Sequence, residues 1–202
     1  MHDDENTAVD AAKMVLTENE GRFVQLLAQG TRFIEFPLKN RKYTFDPNRM
    51  FTPLGIEKTL KSHGASSPEA NTEIATFASK LIDLITPGTK VIITAHNNTP
   101  GDYSINSYTR GALYEKDAAE VYINPTLDPD NFYYVTDSSL FAAIKKGGYN
   151  VILQNAATVI DDGSLSVYCG RKGIRYVNVE TEQGQLDQQV AMLKFALMVL
   201  GK

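Results

Sequence analysis

From Lys90 to the end, short β-branched runs alternate with capped helical segments, and this alternation limits the chain to a few layered architectures. The runs "KVIITAH", "EVYINP", "NFYYVTD", "YNVILQN" and "RYVNVE" read as strands. Between and after them, "SSLFAAIKKGG", "SLSVYCGRKG" and the stretch carrying Leu186, Val190, Leu193, Leu197 and Leu200 read as helices, the last with apolar residues recurring every three or four positions. Strands alternating with helices predict an α/β layer fold: a mixed, mostly parallel sheet with helices on both faces. Upstream, "NTAVDAAKMVLTENEG" predicts a first helix. "TPLGIEKTLKSHG" and "SPEANTEIATFASKLIDLITPG" each place Thr or Ser before Pro, the signature of a cap followed by the first helical position, and the second is expected to end at Pro87-Gly88. "RFVQLLA", "RFIEFPL" and "RKYTFDP" predict β-structure between Arg22 and Asp46, added as antiparallel strands at a sheet edge.

The 202 residues suit one α/β domain covering the whole chain. A net charge of −4 with scattered basic residues argues against nucleic acid as a partner. No apolar run reaches the roughly 20 residues that cross a bilayer, so a soluble protein is expected, cytoplasmic by default, or exported if a leader was removed upstream. Cys169 is the single cysteine, so no disulfide forms within the chain, and it reads as a small core residue.

Ligand sites in open α/β sheets gather at the carboxyl ends of strands. His96 ends "VIITA", Glu180 ends "RYVNV", and "DPNR" follows "KYTF". His2 and Glu5, three positions apart at the start of the first helix, can turn toward one point. Taken alone, the "HDDE" tip is more often a solvated terminus. Joined by His96, it gives two imidazoles and a carboxylate, a ligand set that suits zinc with one position left for water. Zinc lowers the pKa of such a water to about 7, and a carboxylate outside the ligand set is then needed to move the proton; Glu180 is the candidate. Asn48 and Arg49 offer an amide and a planar guanidinium, which can grip a carboxylate by parallel hydrogen bonds. Arg41 lies seven residues before Asn48 and is a second candidate cation. Tyr168, Tyr103 and Tyr108 carry hydroxyls that can reach a substrate, while His63 reads as structural and "DDGS" from Asp161 as a turn and helix cap.

In order along the chain, "HDDE", "DPNR", "AHNNT" and "VETEQG" resemble the motifs of the zinc carboxypeptidase clan, closest to its aspartoacylase and succinylglutamate desuccinylase branch. The resemblance spans nearly the whole chain. It implies the zinc-carboxypeptidase-like, or phosphorylase/hydrolase-like, fold. It implies zinc on His2, Glu5 and His96, a substrate carboxylate on Asn48 and Arg49, an oxyanion steadied by Arg41, and Glu180 as general base, with Glu182 as the alternative. The expected reaction is cleavage of an amide or peptide bond next to a free carboxylate, in a small molecule or a peptide. The alternative is a non-catalytic module that binds a carboxylate or peptide on the same fold. Three departures stand out. The family has a β-strand directly before His-x-x-Glu, where this sequence has only Met1. Aspartoacylase-like enzymes carry a further β-domain, without which the pocket is more open. Pro47 stands where an aliphatic residue is usual, fixing φ and removing a donor.

Overall fold

The structure, a computed structural model, describes residues 2–84, 88–101 and 103–201. The expected helix stop at Pro87 lies outside the described residues. The first helix, α1 (Asn6–Leu16), is followed by a segment with no regular structure as far as Phe33. The strand expected at "RFVQLLA" does not form. Among the described residues no strand edge pairs with it. Asp3 Oδ2 instead takes the backbone N–H groups of Ala28 and Gly30, both at 2.7 Å, and Leu27 points into solvent.

Strands β1 (Ile34–Leu38) and β2 (Arg41–Phe45) form a hairpin around Lys39 and Asn40, both at positive φ as a tight two-residue turn requires. The hairpin is a separate two-stranded sheet and not the edge of the main one. It packs on α2 (Pro53–Ser62) and α3 (Pro68–Ile82), whose first turns are capped by Thr52 and Ser67 as the Thr-Pro and Ser-Pro pairs predict. Tyr43, Phe45, Met50, Ile56, Leu60 and Ile74 fill the core between them.

The main sheet holds β3 (Ile92–Asn98), β4 (Ala118–Tyr122), β5 (Phe132–Val135), β6 (Val151–Gln154) and β7 (Tyr176–Glu182), in the order β3-β7-β5-β6-β4. It is less parallel than the alternation suggests. β3/β7 and β5/β6 pair parallel, whereas β5/β7 and β4/β6 pair antiparallel. A strand–helix–strand pattern requires a parallel pair only when the second strand lands beside the first with the same sense. The unit through α4 (Ser138–Lys146) does so, but β7 lands on the far side of β5, running the other way.

Alternation along the strands divides the packing. Ala95, Tyr133, Val135, Val151, Val177 and Val179 form one core with α1, α4 and α6 (Leu186–Val199). Phe132, Tyr134 and Ile152 face the other way, against Ile105 and Tyr108 of a short 3-10 turn. On that side also lies α5 (Leu165–Lys172), whose Gly170 abuts Gln154 and Thr136. Each fully buried Leu, Ile or Phe in these cores contributes about 1.5–3 kcal/mol. Cys169 lies wholly buried on the inner face of α5, and burial pushes its thiol pKa up to about 12. Among the described residues no helix is long and apolar enough to cross a membrane.

Candidate metal centre

The polar residues of β3 and β7 share one face of the sheet. Thr94, His96 and Asn98 alternate onto it from β3, and Asn178, Glu180 and Glu182 sit opposite them in register. His96 is therefore held beside Glu180 by strand pairing alone. The N-terminal tip reaches this point from the other end of the chain. The Ala8 N–H, one of the unsatisfied donors of the first turn of α1, bonds to Asn97 Oδ1 at 2.9 Å. Asn97 Nδ2 donates to Gln189 Oε1 at 2.9 Å, and Gln189 Nε2 donates to the His96 carbonyl at 3.0 Å. The Gly184 N–H donates to Thr7 Oγ1.

This docking buries the tip. His2 is 3% exposed and Glu5 7%, so "HDDE" is not a solvated terminus. Both imidazoles turn Nδ1 toward the Glu5 carboxylate: His2 Nδ1 lies 3.1 Å from Oε1, and His96 Nδ1 lies 3.0 Å from Oε2. One ligand atom from each of the three residues falls within 4.8 Å of the others. Two imidazole nitrogens and a carboxylate are the donors that zinc takes, so the residues present fit the ion. The second nitrogen of His2 supports this reading. Nε2 lies 2.9 Å from Asp46 Oδ1, the outer hydrogen bond that sets the tautomer and orientation of metal-binding histidines. Asp46 is itself fixed: its N–H donates to Thr59 Oγ1, and its Oδ1 accepts from the Asn48 N–H.

The electrostatics follow from burial and close pairing. Burial works against charge on His2, but its hydrogen bonds to Asp46 and Glu5 outweigh that and raise its pKa. Burial also opposes ionisation of Glu5 and Asp46, yet the adjacent histidines win. Glu5 falls far below the usual carboxylate range and Asp46 to about 2. Glu180 goes the other way. It is buried, and desolvation raises its pKa despite the pull of His96 and a 2.8 Å hydrogen bond from Asn178 Nδ2. Asn178 is held in turn by Thr94 Oγ1 at 3.0 Å.

The centre opens into a cleft of about 1440 Å³ that also includes Asn48, Arg49, Arg32, Tyr103, Tyr108 and Asp162. Asn48 Nδ2 sits 3.4 Å from His2 Nδ1, and Arg49 reaches Asp162 at 2.9 Å. Tyr103 and Tyr108 share a hydrogen bond between their hydroxyls. Two expected site residues lie elsewhere. Arg41 begins β2, about 16 Å of extended strand away from Asp46 at the other end, where it donates to the Gly64 carbonyl and lies over the Tyr43 ring. The cation beside the centre is Arg32, 3.4 Å from Asp46 Oδ2. Tyr168 does not line the cleft, although Ser166 and Val167 beside it do. Glu182 also lies outside the cleft lining, hydrogen-bonded to Gln185. His63 is structural, with Nδ1 on the Thr59 carbonyl and its ring against Phe33.

Sequence reasoning passed over Asp46, Asn97, Asn178 and Gln189. The first two stand inside the quoted motifs "DPNR" and "AHNNT", where polar residues flank candidate ligands; Gln189 gives no such signal. None of the family models, curated proteins or solved structures compared with this chain matches it.

Proposed function

We propose that this chain is a zinc-dependent hydrolase of the carboxypeptidase clan, nearest its aspartoacylase and succinylglutamate desuccinylase branch, that cleaves an amide or peptide bond next to a free carboxylate. The observation that carries the reading is the convergence of His2 Nδ1, Glu5 and His96 Nδ1 beside a buried Glu180. His2, Glu5 and His96 would hold the zinc, which supplies a Lewis acid and lowers the pKa of water to about 7.

The protein's own residues do the rest. Glu180, with its proton affinity raised by burial, takes a proton from the attacking water and returns it to the leaving nitrogen. Asn178 holds the carboxylate in position for both transfers. Arg49 receives the substrate carboxylate, exchanging or sharing its contact with Asp162, while Asn48 sets the register. Arg32, a cleft-lining cation 3.4 Å from Asp46 Oδ2, would turn from that carboxylate to the developing oxyanion. One well-placed donor of that kind is worth roughly 3–4 kcal/mol.

The test is metal analysis followed by assay. The purified protein should carry close to one zinc per chain and hydrolyse members of a panel of N-acyl amino acids and short peptides. Zinc binding without turnover of any panel member, esters included, would leave a carboxylate-binding module. Absence of zinc binding in the wild-type protein would remove the hydrolase reading.

A further inference from the structure

A second group of chelating side chains stands one step further along the same strands. Asp128, Asp130 and Glu182 each place a carboxylate oxygen within 4.8 Å of the other two. Asp128 and Asp130 stand in the loop between β4 and β5, and Glu182 ends β7, at the sheet end that carries His96 and Glu180. Each carboxylate is anchored through one oxygen: Asp128 Oδ1 accepts from the Asp130 N–H at 3.0 Å, Asp130 Oδ2 from the Gly101 N–H at 2.9 Å, and Glu182 Oε2 from Gln185. Among the described residues, no lysine or arginine pairs with any of the three. Three negative charges therefore meet without a counter-ion.

An independent feature points to what is missing. Asn98 is only 8% exposed, and its Oδ1 has no hydrogen-bond partner among the described residues. Its Nδ2 donates to the main-chain carbonyl of Asp130 at 2.7 Å, and Asn98 is the register partner of Glu182 on the same face. The amide is thus held between the Asp130 main chain and the strand position of Glu182. Because Nδ2 is committed to a carbonyl, the orphaned atom is the acceptor. A buried acceptor left unpaired costs about 1–3 kcal/mol, and a cation would remove that cost while neutralising the carboxylates.

We propose that Asp128, Asp130, Glu182 and the Asn98 amide oxygen form a binding site for a hard divalent cation, calcium. An all-oxygen set disfavours zinc. Calcium accepts 6–8 oxygens at about 2.3–2.6 Å in a flexible geometry, which suits carboxylates drawn from a loop and a strand end, whereas magnesium demands a near-ideal octahedron at about 2.0–2.1 Å and keeps most of its waters. Asp128 is exposed, leaving room for water to complete the shell. The bound ion joins the loops at 98–101, 128–131 and 182–185, and so stiffens the frame behind His96 and Glu180.

Calcium chloride alone, titrated into the chelator-treated full chain with and without zinc restored, should bind at about one ion per chain with a Kd on the order of 10⁻⁴ M, and should raise the unfolding midpoint. Asp130→Asn and Glu182→Gln should each weaken binding tenfold or more. Asp128→Ala, an exposed position that should not disturb folding, should weaken it as well. His96→Ala should lose zinc yet keep the calcium isotherm, so the two sites fail separately. The proposal is overturned if no saturable binding appears up to about 10 mM calcium, if the three acidic variants bind within twofold of wild type, or if magnesium binds as tightly as calcium.

Discussion

The two clusters of chelating side chains meet the β3/β7 pair at neighbouring positions, one at His96 and the other at Glu182, yet they are built differently. In the His2–Glu5–His96 centre every ligand is nearly buried, two are imidazoles, and His2 is oriented from behind by Asp46. In the Asp128–Asp130–Glu182 group every ligand atom is oxygen and one acid is exposed. Burial makes the difference. An isolated buried carboxylate is costly, so Glu5 is tolerated only between two histidines and Asp46 only against His2 and Arg32. At the rim Asp128 is open to water, but Asp130 is buried and, among the described residues, pairs with no lysine or arginine. Position along one strand thus separates a nitrogen-rich pocket suited to zinc from an oxygen-rich rim suited to a larger, harder ion.

The largest effect that would break this contrast concerns the proton carrier. Glu180→Gln should retain zinc and lose at least about 100-fold in turnover, about 2.7 kcal/mol of barrier. Turnover at the parental rate would mean that Glu180 is not the base. Next comes the residue behind the candidate ligand His2. Asp46→Asn should weaken zinc about 10–100-fold, read by competition with a chromogenic chelator, while calcium binding stays unchanged.

A smaller effect is the pH response of the metal-free protein. The Asp46 pKa is depressed in the folded state, so its contribution is full above the ordinary carboxylate value near 4 and is lost as pH falls through about 2. His2 is raised, so its contribution is full below about 6.5 and is lost as pH rises through its higher folded value. Unfolding midpoints measured in chelator should therefore peak between roughly pH 4 and 6.5. A midpoint that rises steadily from pH 5 to 9 would contradict the pairing. The smallest effect is expected at Arg41. Arg41→Ala should change stability by no more than about 0.5 kcal/mol and leave kcat/KM at the parental value. Arg49→Ala should instead raise KM several-fold with little change in kcat, as loss of a binding contact does.

Much of the site was legible because its residues sit at strand ends and helix starts, which local patterns mark. "VIITAH" and "RYVNVE" announce strands ending in a histidine and a glutamate, and in-register pairing of those strands sets the two side by side. Arg41, which the resemblance implies beside the oxyanion, lies away from the centre. Between it and Asn48 runs an extended strand, which keeps its two ends far apart. Tyr168 was misjudged for a related reason, since the orientation of α5 selects which of its side chains reach the cleft. "RFVQLLA" has strand composition, but a strand exists only where another edge accepts its hydrogen bonds.

By itself the sequence determined the local elements: the Thr-Pro and Ser-Pro helix starts, the Lys39-Asn40 turn, the apolar strands and the residue types able to hold a metal. Those follow from interactions within a few residues of one another, which composition and spacing encode directly. Only the tertiary structure decided that β7 lies between β3 and β5, running antiparallel to β5. It alone buried the N-terminal tip against His96, set Arg32 against Asp46 and Arg41 against the Gly64 carbonyl, and placed Asp46 behind His2. These outcomes depend on which distant surfaces bury one another and which polar groups remain to be satisfied once they do, a balance struck over the whole chain at once.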